Sequence, residues 1–419
     1  MTSSQRAFRW GTLVLLSLAI SLMLGGSTAP ALNRSDQVRR FTRQLEFDYV
    51  GWTTESLTEK FRNSALGAAN YLSEPERKEL VLDYVELIGE TARLRGEQEA
   101  TLNDPGLPDP QQAAEPVALA LHEASERLEA LRPLAESVLQ ENVSAVLDDL
   151  GLGWGGAPFP PVAFRFSSLP SALVVSPRDV IRQDANLQLE PELNLEEQVK
   201  LESRVEQELD VSALVVPIGG LSTYPTMVMQ SAAVDWVTET IVHEWVHQYL
   251  ALRPLGLGYN RSPELRTMNE TVASLVGREI GREVLARYFP EHLPPPPPEN
   301  PPPPIAGEPP VFDFQIEMRE TREHVDELLA QGRIEEAEGY MEARRRVFWE
   351  NGYRHIRRIN QAYFAFYGAY ADVPGGPAGE DPVGEAVRQL WDQVEDPAAF
   401  LRQVAGMSSF EDLQAVLQG

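Results

Sequence analysis

Thr238-Glu-Thr-Ile-Val-His243-Glu244-Trp-Val-His247-Gln-Tyr-Leu250 decides how this chain reads. His243 and His247 are four positions apart, slightly more than one helical turn, so on a helix both imidazoles leave the same face. The order His-Glu-x-x-His then places two ligands beside one ion, with Glu244 at the flank of the pair as a base rather than a ligand. Val234, Val237, Ile241, Trp245 and Tyr249 recur at helical spacing and give the segment an apolar flank to bury. The plain alternative is two histidines on an ordinary amphipathic helix.

A zinc site with catalytic potential needs a third protein ligand and leaves its fourth position to water. Residues 248–258 contain no histidine, so the ligand is sought on the next helix, about 263–288, which Ser262 caps and Pro263 opens. On that helix Glu270, Ser274, Gly277 and Gly281 share a narrow stripe with Ala273 at its edge. Small residues there allow close approach to the His helix, which a short carboxylate reach requires. Glu264 sits in the first turn, where meeting the helix dipole is its simpler role. Glu279 and Glu283 point away from the stripe, so Glu270 is the favoured third ligand.

Outward from this centre, 154–230 has the length and composition of short strands at 162–166, 172–176, 213–217 and 226–230. An acidic helix at about 195–209 separates the second and third, and Gly219-Gly220 reads as a turn before the fourth. Residues 33–153 read as a helical region, with apolar spacing at 54–71, 74–99 and 115–149 and a loop at 102–114. The proline-rich insertion 294–310 suits an extended exposed loop. Helices are expected again at 313–330, 333–371 and 382–419. The fold class is α+β: a catalytic domain at 154–419 behind the helical region 33–153.

The remaining 1–32 read as a signal peptide or membrane anchor. Arg6 and Arg9 precede an uncharged run whose apolar centre, 12–24, suits a secretory signal, and Ala29-Pro30-Ala31 offers small residues for cleavage. Uncleaved, 10–31 just reaches the roughly 20 residues that a membrane helix needs. In either case the N-terminal arginines place the rest of the chain outside the cytoplasm, secreted or tethered to the membrane.

Composition narrows the partners. The 419 residues carry 36 basic and 63 acidic side chains, a net charge of −27, which repels phosphate backbones and argues against nucleic acid. No cysteine is present, so a metal must be held by His and carboxylates.

His243-Glu-Trp-Val-His247 followed by Asn269-Glu-Thr-Val-Ala273 resembles the gluzincin zinc peptidases, and more narrowly a group of bacterial predicted aminopeptidases. Arg358-Ile-Asn-Gln-Ala362, with Tyr370 eight residues on, is similar to a later Asn-Asn-Ala segment of that group. The resemblance implies a zincin-like catalytic domain: a small mixed or antiparallel sheet, the His helix and the Glu helix. It implies Zn²⁺ on His243, His247 and Glu270, with Glu244 accepting a proton from the attacking water and returning it to the leaving amine. It further implies an edge strand that pairs with a peptide or protein substrate, for which Tyr224, Thr226 and Met227 are the candidates. A tyrosine would steady the oxyanion, Tyr370 first and Tyr367 in reserve. Ser274 stands where several gluzincins place an Asp behind a ligand His, so Asp235 and Glu239 are the candidate orienters. The acidic segment that captures a free amino terminus has no counterpart, which leaves exopeptidase and endopeptidase both open. The competing class is a non-catalytic metal-binding or helical scaffold protein. Glu244 argues against it, because a closed structural site uses four protein ligands and needs no base.

Overall fold

The computed structural model describes residues 33–191, 193–295, 312–394 and 396–418. The expected signal or anchor, 1–32, and the insertion from residue 296 onward lie outside the described residues. Among them no helix is long and apolar enough to cross a membrane.

The chain opens with α1 (Arg34–Thr42), α2 (Tyr49–Leu66), α3 (Glu74–Leu102) and α4 (Pro110–Asp149). Local chemistry sets their ends. The Asp48 side chain caps α2 five residues before the expected start, and Gly67 stops it in the left-handed region at φ 57°. A capping box between Ser73 and Glu76 starts α3. Asp109 caps α4 with Pro110 in the first turn, so the expected loop is shorter and α4 runs through Pro116 and Pro133. Burial of Leu128, Val138, Leu139 and Leu147 outweighs the backbone bonds those prolines forfeit.

Six strands and one helix follow: β1 (Phe164–Phe166), β2 (Ser171–Pro177), β3 (Ala185–Leu189), α5 (Leu195–Leu209), β4 (Val211–Pro217), β5 (Gly220–Leu221) and β6 (Thr226–Val228). They make two sheets rather than the single one expected. The first is antiparallel in the order β3-β2-β4; the second runs β1-β6-β5, with β1 parallel and β5 antiparallel to β6. Gly220 therefore begins a strand instead of completing a turn. Then come α6 (Val234–Leu250), α7 (Pro254–Leu257), α8 (Pro263–Tyr288), α9 (Phe314–Ala330), α10 (Ile334–Glu350), α11 (Gln361–Tyr367), α12 (Pro382–Gln393), α13 (Pro397–Ala405) and α14 (Phe410–Gln418). The expected helix 333–371 is broken at Gly352, φ 98°, and restarts where the Asn360 side chain accepts from Tyr363 N. The expected helix 382–419 breaks at the Asp396 cap and again before α14.

The antiparallel sheet is covered on both faces. Leu173, Val175, Ala213 and Val215 meet Val38 and Phe41 of α1 and Leu201 and Val205 of α5. Ala172, Val174, Leu214 and Val216 meet Met318, Phe348 and Phe364 on the opposite side. Double coverage is why these strands read as continuous apolar runs. The free edge of β4 is closed by side chains: Val215 N donates to Glu202 Oε1 at 2.7 Å, Ala213 N to Glu206 Oε1 at 3.2 Å, and Asn360 Nδ2 to Ala213 O at 3.0 Å. The largest core holds Tyr84, Leu139 and Leu147 together with Trp245, Val276 and Phe400. The helical region thus shares its interior with the helices that carry the site.

Candidate metal centre

Helix α6 buries Val237, Ile241, Trp245 and Tyr249, which leaves His243 and His247 facing a cleft. Helix α8 lies against it, and the small-residue stripe decides how closely. A Cβ added at Gly277 would stand 3.1 Å from His243 Cβ, and one at Gly281 would stand 3.0 Å from Glu239 Cα. Backbone-to-backbone contact at these glycines brings Glu270 to the imidazoles.

The two Nε2 atoms lie 3.1 Å apart. Glu270 Oε2 is 3.6 Å from that of His243 and 3.4 Å from that of His247. Donors about 2.0–2.1 Å from a tetrahedral ion stand about 3.3 Å from one another, so the three atoms are spaced as zinc ligands are. Glu270 Oε2 is buried and meets no hydrogen-bond donor among the described residues. An orphaned carboxylate oxygen is costly unless a cation satisfies it. The donor set therefore fits a divalent cation.

Electrostatics follow from this crowding. Burial alone would raise the Glu270 pKa, but the attraction of His247 and His243 holds it well below the usual carboxylate range. Burial opposes charge on His247, yet Glu270 beside it pulls that pKa up to about 9. Glu244 is pushed up by burial, against the pull of both imidazoles. It packs beneath β5 so tightly that a Cβ at Gly220 would meet its Oε1 at 2.4 Å.

The cleft measures about 760 Å³ and is lined by β5, Trp236, Glu239, Glu244, Tyr259 and Tyr370. Tyr370 is 37% exposed, with its ring stacked 6.3 Å from that of His243 at 24°. Burial, Glu270, Tyr259 and Glu244 keep its hydroxyl well above the ordinary phenol pKa, hence protonated. Three contacts hold its segment in place. Arg266 of α8 donates to Ala365 O, Arg278 of α8 pairs with Asp372, and Arg388 of α12 donates to Ala371 O. Tyr367 shares the cleft wall, and with Pro217 and Tyr370 it also borders an adjoining cavity of about 590 Å³.

The expected edge strand is an inner one. Thr226 and Met227 lie in β6, between β1 and β5, and both are buried. The adjacent Tyr224 is 43% exposed but does not line the cleft. The outer strand of that sheet beside the site is Gly220–Leu221, too short for any propensity rule to register; Asn186 and Gln188 of β3 also line the cleft. The orienter of His247 is Asn269, whose Oδ1 lies 2.7 Å from Nδ1. A carboxamide oxygen only accepts, so Nδ1 carries a proton, and an ion at Nε2 would take the place of the second proton that Glu270 favours there. Neither Asp235 nor Glu239 hydrogen-bonds an imidazole among the described residues; Glu239 lies 4.0 Å from Arg278. Asn360, on the segment similar to the Asn-Asn-Ala piece, clamps α11 to β4 instead of entering the site. Tyr259, unpicked from sequence, donates to Glu270 Oε1 at 2.5 Å.

Comparison of the chain with protein-family models, with curated proteins and with solved structures finds no match in any of the three.

Proposed function

We propose that this protein is an exported zinc metallopeptidase of gluzincin type, its α+β catalytic part zincin-like. The observation that carries the reading is the convergence of His243 Nε2, His247 Nε2 and the orphaned Glu270 Oε2 beside a buried Glu244 and a free strand edge. Zn²⁺ held by these three residues supplies Lewis acidity, polarising a peptide carbonyl and acidifying water. The protein's own groups do the rest. An extended peptide lies along Gly220–Leu221, the outermost strand of its sheet and part of the cleft wall. Glu244 takes a proton as water oxygen bonds to the carbonyl carbon, and passes it to the amide nitrogen as the C–N bond breaks. The Tyr370 hydroxyl donates to the oxyanion formed between those two steps.

The test pairs metal analysis of the purified protein with hydrolysis of a mixed peptide library by wild type and Glu244→Gln. The variant keeps its zinc and loses turnover by about 10²–10⁴-fold. Equal activity in both refutes the mechanism, and zinc binding without hydrolysis in wild type assigns the non-catalytic metal-binding alternative. Product masses separate removal of terminal residues from internal cleavage. Export rests on the pattern of residues 1–32, and the N-terminal sequence of mature protein recovered from membrane and medium decides between tether and secretion.

A further inference from the structure

Between the two ligand helices the chain makes a compact detour. Gly256 passes so near the end of α6 that a Cβ there would meet Leu250 O at 2.1 Å, and one at Gly258 would meet Leu265 Cδ1 at 2.8 Å. Leu255 is fully buried beneath the turn. Backbone bonds from Tyr259 N to Gly256 O and from Arg261 N to Gly258 O, at 3.1 and 2.8 Å, close it. The side chain projected by this turn is Tyr259, edge-on to His247 with ring centroids 6.3 Å apart.

We propose that Tyr259 is a positioning residue for the third ligand: its hydroxyl engages Glu270 Oε1 and so leaves Oε2 alone to face the two imidazoles. The inference rests on the metallopeptidase reading of the same site and adds a residue that the ligand motif does not contain. The terminal torsion of a glutamate is broad and two-fold, so an untethered carboxylate can present either oxygen or both. An ionised carboxylate only accepts, so the phenol must be the donor in this pair. Outer partners of this kind orient ligands and tune affinity by about 10–100-fold. Oε1 has its donor at 2.5 Å, whereas Oε2 makes no hydrogen bond among the described residues and faces the imidazoles at 3.4 and 3.6 Å, the asymmetry that such a clamp produces.

Metal-stripped wild type and Tyr259→Phe are titrated with Zn²⁺ and with Co²⁺, and the melting temperature of each metal-free protein is recorded. The expected result is Zn²⁺ binding weakened by about 10–100-fold and a changed intensity of the visible Co²⁺ bands, with a metal-free melting temperature lowered only by the loss of one buried hydrogen bond and the cooperative transition kept. A wild type that binds neither ion overturns the reading of the site itself. Wild type and variant binding alike, with identical Co²⁺ spectra, overturn only the role of Tyr259.

Discussion

Asn269 stands next to a ligand without being one, and its oxygen fixes the tautomer of His247. Asn269→Ala should weaken Zn²⁺ by about 10–100-fold while the fold persists, measured by competition with a chromophoric chelator. Asn269→Asp keeps the acceptor and should retain most of the affinity. The convergence of His243, His247 and Glu270 was legible because its logic is local: four residues on one helix, and a stripe of small residues on the next. Asn269 stood in the quoted Asn-Glu-Thr motif, but its contact crosses between helices and no spacing rule announces it. Tyr259 is harder still, since its placement depends on a glycine-rich turn whose path only packing determines.

Among elements, the contact of α6 with α8 is the one that brings His243, His247 and Glu270 together. Gly277→Ala forces a methyl against the His243 backbone and should cost about 1–3 kcal/mol in urea unfolding, although Ala favours helices. Gly339→Ala in α10, where a Cβ would meet nothing within 4 Å, should instead gain about 0.5–1 kcal/mol. The opposite signs separate crowding from propensity. Gly220→Ala belongs to the same scale: its methyl would displace Glu244, so turnover should fall sharply with zinc content unchanged. Strand positions near 172–176 and 213–217 were legible from their doubly buried apolar runs. β3 carried a fainter signal, the alternation of buried Ala185, Leu187 and Leu189 with half-buried Asn186 and Gln188. The order of strands was not legible, because β6 becomes central only through β1, some sixty residues earlier in the chain.

At the scale of the whole molecule, distant segments are locked by buried charge and by a shared interior. Glu202, with no exposed side-chain area, accepts from Arg357 at 2.8 Å and from Val215 N at 2.7 Å. Glu202→Ala leaves Arg357 without its carboxylate partner, removes the more distant of the two partners of Arg358 and opens the β4 edge. It should lower stability by about 3–5 kcal/mol, whereas Glu196→Ala, which breaks only an exposed pair with Lys200, should leave the melting temperature unchanged. Residues 154–419 expressed alone should fail to give a cooperative thermal transition, because their removal from α3 and α4 uncovers the apolar flank around Trp245.

The strap that bears Tyr370 is fastened by two arginines of the helix that also bears Glu270. On the proposed mechanism, anything that rocks this helix therefore shifts the grip on the cation and the quencher of developing negative charge in concert. Inhibitors that wedge beneath the strap need not touch the ion at all to silence it.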